Sequence, residues 1–242
     1  MNKLKKNIIM RNSIIKSIYD SVIIIYPTNG LCNKLRVTFS YYQYAKSQNK
    51  KLIVIWPITI ECAGFFLDYF EPIKNIQFEK TNKYALSNIK YLGNSWHPEY
   101  DPSKVFIYSE LKPLPSIMNV INNYIKLLES NYIAVHIRRT DHINLATKNN
   151  LYTTDEEFIK FIEDNNRNLY IATDNKDTYD NFYYKYKNRI KILLYEQDNN
   201  KLRKTSLEES IIDLYMCVYS NNFKGSGYSS FSDLIIQLKS KI

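Results

Sequence analysis

The chain has little cysteine, and what it has forms no pattern. Cys32, Cys62 and Cys217 are odd in number and far apart, with no Cys-x-x-Cys among them. That implies neither a disulfide framework nor a zinc site, and a reducing, cytoplasmic environment is the simplest setting for such thiols. Long apolar runs are missing as well. The longest, Leu52 to Ile60, is broken by Pro57 and falls far short of the roughly 20 residues that span a bilayer. No signal peptide is recognisable, so the chain reads as soluble or peripheral to a membrane. There is no internal repeat, no zinc-finger spacing and no aromatic-glycine RNA-binding signature.

What is present is a globular composition. The 242 residues are 45% apolar and 14% aromatic, enough to bury a sizeable core in one large domain or two small ones. The formal charge is +9, from 33 Lys and Arg against 24 Asp and Glu. Lys, Asn, Ile and Tyr are all over-used, as an AT-rich coding sequence produces, so the basic balance is discounted as a sign of a nucleic-acid partner. Residues 1–20 concentrate Lys3, Lys5, Lys6, Arg11 and Lys16, with Ile8, Ile9, Ile14, Ile15 and Ile18 at loose helical spacing. A basic amphipathic helix of this kind can make weak contact with an anionic membrane surface, and it can equally be a packed or frayed terminal helix.

The order of elements points to an α/β fold. Val22–Tyr26 is a buried-type strand closed by Pro27 and an Asn29-Gly30 turn, followed by a helix to about Ser47 and a strand from Leu52 to Trp56. Strand, turn, helix and strand make a βαβ unit with a parallel sheet. The turn and helix start expose backbone N–H groups, a ready anion site, or serve simply as an ordinary βα turn. Residues 60–130 carry a weaker pattern: a helix over Cys62–Phe70, a short strand over Val105–Tyr108 and a helix over Ile117–Leu128. From 132 the rhythm is regular. Strands are predicted at 132–137, 168–173 and 190–195, and helices at 154–164, 177–187, from the Thr205-Ser206-Leu207-Glu208-Glu209 capping box, and at 229–240 after a glycine loop at 225–227. The domains expected are a 1–20 tail or helix, a 21–130 half and a 131–242 Rossmann-like half.

The chemistry concentrates in Tyr132-Ile133-Ala134-Val135-His136-Ile137-Arg138-Arg139-Thr140-Asp141, an apolar strand that ends in charge. Ligands of open α/β sheets bind beyond the carboxyl ends of strands. Two adjacent guanidiniums there suit a phosphate, because each presents planar, bidentate donors that stay charged. Asp141 is placed to hold one of them by an ion pair. The plainer alternative is an edge strand that ends in a surface salt bridge.

His-x-Arg-Arg-x-Asp after a strand resembles the first motif of a fucosyltransferase superfamily that includes α1,2- and α1,6-fucosyltransferases, nodulation fucosyltransferases and protein O-fucosyltransferases. Leu169-Tyr170-Ile171-Ala172-Thr173-Asp174-Asn175 resembles its second motif, and Asp213 through Ser232 its third. Asn29-Gly30-Leu31-Cys32-Asn33-Lys34-Leu35-Arg36 is similar to the Gly-Leu-Gly-Asn-Arg-Leu-Arg turn of bacterial-type members, with Cys32 where relatives often carry a second glycine. The likeness covers 132–232 and 22–57 and is not visible between about 60 and 130.

The resemblance implies a GT-B-like fold of two Rossmann-like halves with parallel sheets, an acceptor side at 21–130 and a donor side at 131–242. It implies an inverting, metal-independent transfer of fucose from GDP-fucose to a glycan or other hydroxyl acceptor, with no cofactor. By matching positions, Arg138 binds the β-phosphate and stabilises the leaving diphosphate, Arg139 supports the pocket, and His136 contacts the nucleotide. Asp174 lies near the donor or caps the next helix, Asp213 reads the guanine edge, and Ser229 and Ser230 meet diphosphate oxygens or cap their helix. Gly30, Asn33 and Asp141 complete the donor-binding set. No metal is expected, since the chain has no Asp-x-Asp. A base for the acceptor hydroxyl is sought among Glu61, Asp68 and Glu71. The alternatives are the same fold with another nucleotide-sugar, a non-catalytic nucleotide- or glycan-binding module, and a basic RNA-binding protein resting on charge alone.

Overall fold

The structure, a computed structural model, describes residues 21–103, 107–140, 143–193 and 205–240. The expected helix within 1–20, with its membrane contact, and Asp141 lie outside them. Two compact units meet between Lys112 and Pro113.

The first unit is built on a parallel sheet of four strands, β1 (Val22–Pro27), β2 (Lys51–Ile55), β3 (Ile76–Glu79) and β4 (Tyr91–Gly93), in the order β3-β2-β1-β4. Helix α1 (Leu31–Ser47) connects β1 to β2. The apolar runs of β1 and β2 are buried almost throughout, as parallel strands covered on both faces require. The turn before α1 takes its left-handed residue at Asn29, φ 67°, and not at Gly30, which caps the helix at φ −72° without a side-chain hydrogen bond. Cys32 is a buried residue of the first helical turn.

The helix expected over Cys62–Phe70 is absent; only Phe66–Asp68 forms a single 3₁₀ turn. Tertiary contacts hold the segment open. The Trp56 indole N–H donates to the Gly64 carbonyl at 3.0 Å, and the Phe66 ring stacks on Phe78 at 3.9 Å and on Phe70 at 5.0 Å. Lys34, on α1, is fully buried: its ammonium donates to the Pro57 carbonyl and lies 5.3 Å from the Trp56 ring centroid. Burial is the main cause that lowers its pKa. Strands β4 and β3 are short and carry too few apolar residues to stand out in the sequence.

The second unit begins with α2 (Pro115–Leu127), which starts on a proline at its first turn and packs against α6 (Leu207–Tyr219). Its sheet has three parallel strands, β5 (Tyr132–Ile137), β6 (Asn168–Thr173) and β7 (Asn222–Gly225), in the order β6-β5-β7. Between β5 and β6 run α3 (Ile143–Lys148) and α4 (Asp155–Glu163); α5 (Lys176–Tyr186) follows β6, and α7 (Ser230–Lys239) follows β7.

Central β5 is buried at every position. Ile133, Val135 and Ile137 join one core with Phe158, Ile162, Leu169 and Phe182. On the other face the Tyr132 hydroxyl donates to the Met216 carbonyl of α6 at 2.7 Å. The capping box read from the sequence is present, Ser206 with Glu209 at α6, and α4 carries a second one, Thr154 with Glu157. The strand expected at 190–195 is not formed over Ile190–Leu193, and the rest of it lies outside the described residues. The Leu169 N–H instead takes the Arg189 carbonyl at 2.8 Å, while the Arg189 guanidinium ties down the carbonyls of Ile162, Asn165 and Arg167. Of the strand expected at 105–108, Val105 and Phe106 are outside the described residues, and Ile107 and Tyr108 are buried without strand pairing.

A glycine is demanded after β7. A Cβ on Gly227 would stand 2.1 Å from the Leu151 carbonyl oxygen, and the Gly227 N–H donates to Thr153 Oγ1 at 2.9 Å. Gly227→Ala is therefore expected to destabilise the second unit by about 1–3 kcal/mol. A melting temperature equal to wild type would show that the 151–153 loop yields freely.

Candidate active site

The strand order β6-β5-β7 puts a topological switch point beside β5, because the chain leaves β5 for β6 on one side and returns to β7 on the other. Crevices at such points, beyond the carboxyl ends, are where open α/β sheets bind ligands. The three neighbouring strand ends here carry Arg138, Asp174 and Ser226.

Asp174 organises this rim. Its carboxylate pairs with Arg138 Nη1 at 2.6 Å, accepts from the Arg139 backbone N–H at 3.0 Å and accepts from the Thr140 hydroxyl. Both ionic side chains are largely shielded, 16% exposed for Arg138 and 9% for Asp174, so the pair is held in a lower dielectric than a surface bridge. Asp174 is not the cap of the next helix. Asn175 takes that place, accepting from the Thr178 N–H at 2.8 Å.

From the opposite side, Ser226 fastens the end of β5. Its N–H and hydroxyl both donate to the His136 carbonyl, at 2.9 and 3.2 Å, and its hydroxyl oxygen accepts from the Arg138 N–H at 2.9 Å. The His136 ring is buried, with Nδ1 2.8 Å from Ser232 Oγ and its face against Phe231 at 4.6 Å. Ser229 is the N-cap of α7, accepting from the Ser232 N–H, and Ser230 is the first helical residue. The preceding Tyr228 has φ 57°, a left-handed conformation unfavourable for a tyrosine. The start of α7 is thus tied to the carboxyl end of β5 through His136 and Ser232.

Arg139 turns elsewhere. Its guanidinium pairs with Asp155 at 2.5 Å and lies over Tyr152 and Phe158, at 5.0 and 5.6 Å from the ring centroids. It fixes the start of α4 through this pair and these rings. Asp213 is also away from the rim. It faces Tyr170, whose hydroxyl donates to it at 2.6 Å, and Tyr170 is three residues short of the end of β6, about 10 Å along a strand. At 5% exposed, its carboxyl is pushed up to about 7 by burial, against the opposing pull of the tyrosine hydrogen bond. Asp213 is thus a buried acid between β6 and α6, hydrogen-bonded to Tyr170.

Gly30 and Asn33 belong to the first unit, at the carboxyl end of β1. Asn33 Oδ1 is buried there without a hydrogen-bond partner. Of the candidate bases, Asp68 forms an exposed ion pair with Lys80 at 3.9 Å, Glu61 lies in the Thr59–Cys62 turn, and Glu71 follows Phe70 with its N–H on the Lys112 carbonyl. Among the described residues no group of three or more His, Cys, Asp or Glu side chains is placed to hold a metal ion. No described helix is long and apolar enough to cross a membrane.

Sequence reasoning missed Ser226, Thr140, Asp155 and Ser232. The first two are short hydroxyl residues without a motif spacing of their own, and Asp155 reads as an ordinary first-turn acid of a helix. Ser232 lay inside the third segment, but nothing in its spacing pointed to His136.

No model of a known protein family matches the chain, and no curated protein matches its sequence. Solved structures do match in fold. The NodZ α-1,6-fucosyltransferase soaked with GDP-fucose aligns at 13% identity and TM-score 0.62, over 90% of this chain and 92% of that one. POFUT1 in complex with GDP aligns at 12% identity and TM-score 0.63, over 92% and 96%. An Arabidopsis thaliana FUT1 mutant in complex with GDP aligns at 11% identity and TM-score 0.55, over 94% and 73%. The α/β fold with parallel sheets matches that of these GT-B proteins.

Two consequences are measurable. Asp174→Ala leaves the Arg138 guanidinium and two further donors without their acceptor, and is expected to cost about 3 kcal/mol in denaturant unfolding. A loss under about 1 kcal/mol would mean that the 138–140 turn does not depend on this carboxylate. Asp213 gives a pH dependence of definite sign. As pH rises from about 4 to about 7, the unfolded chain ionises this acid while the folded one does not, so stability from this group falls and then levels off. Asp213→Asn removes that loss. In melts across the range, the variant should gain on wild type up to about pH 7 and hold its margin above it; a constant difference at all pH values would contradict the buried, protonated acid.

Proposed function

We propose that the chain is an inverting glycosyltransferase that moves fucose from GDP-fucose to a hydroxyl of a glycan or glycoconjugate without a metal ion. The observation that carries this reading is Arg138, a shielded guanidinium fixed at the end of the central strand, at the switch point, by the Asp174 carboxylate. The donor is supported by the fold neighbours, whose bound ligands are GDP and GDP-fucose.

The chemistry asks for what the rim offers. The bond between the sugar carbon and the phosphate oxygen breaks with its electron pair going to the diphosphate, while the acceptor oxygen attacks the same carbon and loses its proton. Negative charge grows on the departing oxygen, and a guanidinium already oriented by Asp174 stabilises it without reorganising. The N–H groups at the start of α7 and the Ser230 hydroxyl add donors suited to the remaining diphosphate oxygens. Asp174, Ser226 and Thr140 act through Arg138 and its turn, as positioning residues. His136 holds the α7 start through Ser232 and is read as positioning too.

GDP at about 100 times its dissociation constant should stabilise the protein by roughly 2.7 kcal/mol, with EDTA present. Abolition of the shift by EDTA, or a shift with UDP and none with GDP, would overturn the metal-independent or the donor assignment respectively. Arg138→Ala leaves Asp174 two donors and should fold, yet lose about a hundredfold in turnover of GDP-fucose, with hydrolysis as the readout where no acceptor is supplied. Arg138→Lys should also be poor, because a point charge does not reproduce bidentate recognition. Near-wild-type turnover in a folded Arg138→Ala protein would remove Arg138 from the leaving-group role.

A further inference from the structure

The first unit has a switch point of its own. In the order β3-β2-β1-β4 the chain proceeds from β1 to β2 and β3 on one side, and β4 lies on the other. The crevice therefore opens beyond the carboxyl ends of β1 and β4, between the turn into α1 and the segment after Gly93. Their closeness is direct: Pro27 pairs with Gly93, and the Thr28 N–H donates to the Gly93 carbonyl at 2.8 Å.

The segment after β4 is built rather than loose. Gly93 has φ 148°, and the Ser95 N–H donates to the Tyr91 hydroxyl at 2.5 Å. The His97 N–H donates to Ser40 Oγ of α1 at 2.9 Å, and the His97 ring stacks on Tyr44 at 4.2 Å. Fixed between these anchors is Trp96, half-buried, with the Arg36 guanidinium over its ring at 5.0 Å. Asn33 and Arg36 are three apart on α1 and share a face.

Two atoms of this face are unexplained. Asn33 Oδ1 and Arg36 Nε are buried without a hydrogen-bond partner, an acceptor and a donor one helical turn apart. Leaving such groups unpaired costs free energy unless a ligand or water satisfies them. An indole face together with planar amide and guanidinium groups is the combination that binds a pyranose. The ring covers the apolar C–H face of the sugar, and the planar groups exchange hydrogen bonds with its hydroxyls.

The geometry points to a saccharide subsite at this crevice, in which Trp96 stacks on a neutral pyranose ring with the face opposite Arg36, and Asn33 and Arg36 bond its hydroxyls. On the glycosyltransferase reading above, on which this assignment of role rests, that ring belongs to the acceptor glycan. The binding itself involves residues of the first unit alone.

The chain has only two tryptophans, and Trp56 is fully buried, so a saccharide-induced change in indole emission reports Trp96. The full chain is titrated with methyl β-galactopyranoside, methyl β-glucopyranoside and β-linked tetrasaccharides of galactose and of N-acetylglucosamine, up to about 10 mM. At least one is expected to shift the emission saturably, and calorimetry with that sugar should show about a tenfold or greater loss of affinity in both Trp96→Ala and Arg36→Gln. Arg36→Gln covers the case in which the tryptophan variant fails to fold. No saturable change with any of the sugars, or wild-type affinity in a folded variant, overturns the subsite. GDP is titrated separately into the wild-type protein: binding of sugar without GDP would defeat the donor reading and leave the subsite standing.

Discussion

Asp174 receives the Arg138 guanidinium, the Arg139 N–H and the Thr140 hydroxyl on one carboxylate. These three bonds shape the turn that follows β5. A shielded carboxylate is costly without partners, and a shielded guanidinium is equally costly without its acceptor. Each is therefore retained by the other. The arrangement works only because β5 and β6 are parallel and in register, Ile137 opposite Thr173, so that the residues just past their ends are neighbours.

Ser226 completes the frame from the far side of β5. With β7 parallel to β5 and His136 opposite Gly225, its hydroxyl falls between the His136 carbonyl and the Arg138 N–H. The end of the central strand is thus clamped by one acidic and one hydroxyl side chain, each from the end of an adjacent strand. Arg138 is left at the opening between the diverging loops, and α7 begins beside it.

Two buried ionisable residues off the rim show the same economy of placement. Lys34 is enclosed at the end of β2 with a carbonyl and an indole face, and Asp213 is enclosed beneath β6 with a tyrosine hydroxyl. Both have their pKa displaced toward the neutral form by burial. Arg139 and Asp155 make a comparable pair, ordering the start of α4 through charge and aromatic stacking.

The sequence by itself determined the strands β1, β2, β5 and β6, the helices with capping boxes and the rim position of Arg138, because each depends on local apolar runs, caps and turn residues. The α/β class followed from their alternation. What it did not determine were features set by contact across the sheet. Polar β7 is a strand only because β5 offers it an edge, and the 62–70 segment forms no α-helix because Trp56 and Phe78 hold it. Asp213 and Asp174 look alike in sequence, an acid near an apolar stretch. Tertiary structure separated them, placing Asp174 past the end of a strand among three donors and Asp213 halfway along one beneath a tyrosine. The pattern of apolar residues specifies which face of an element is buried; only the packing of neighbouring elements decides which polar group each buried side chain meets.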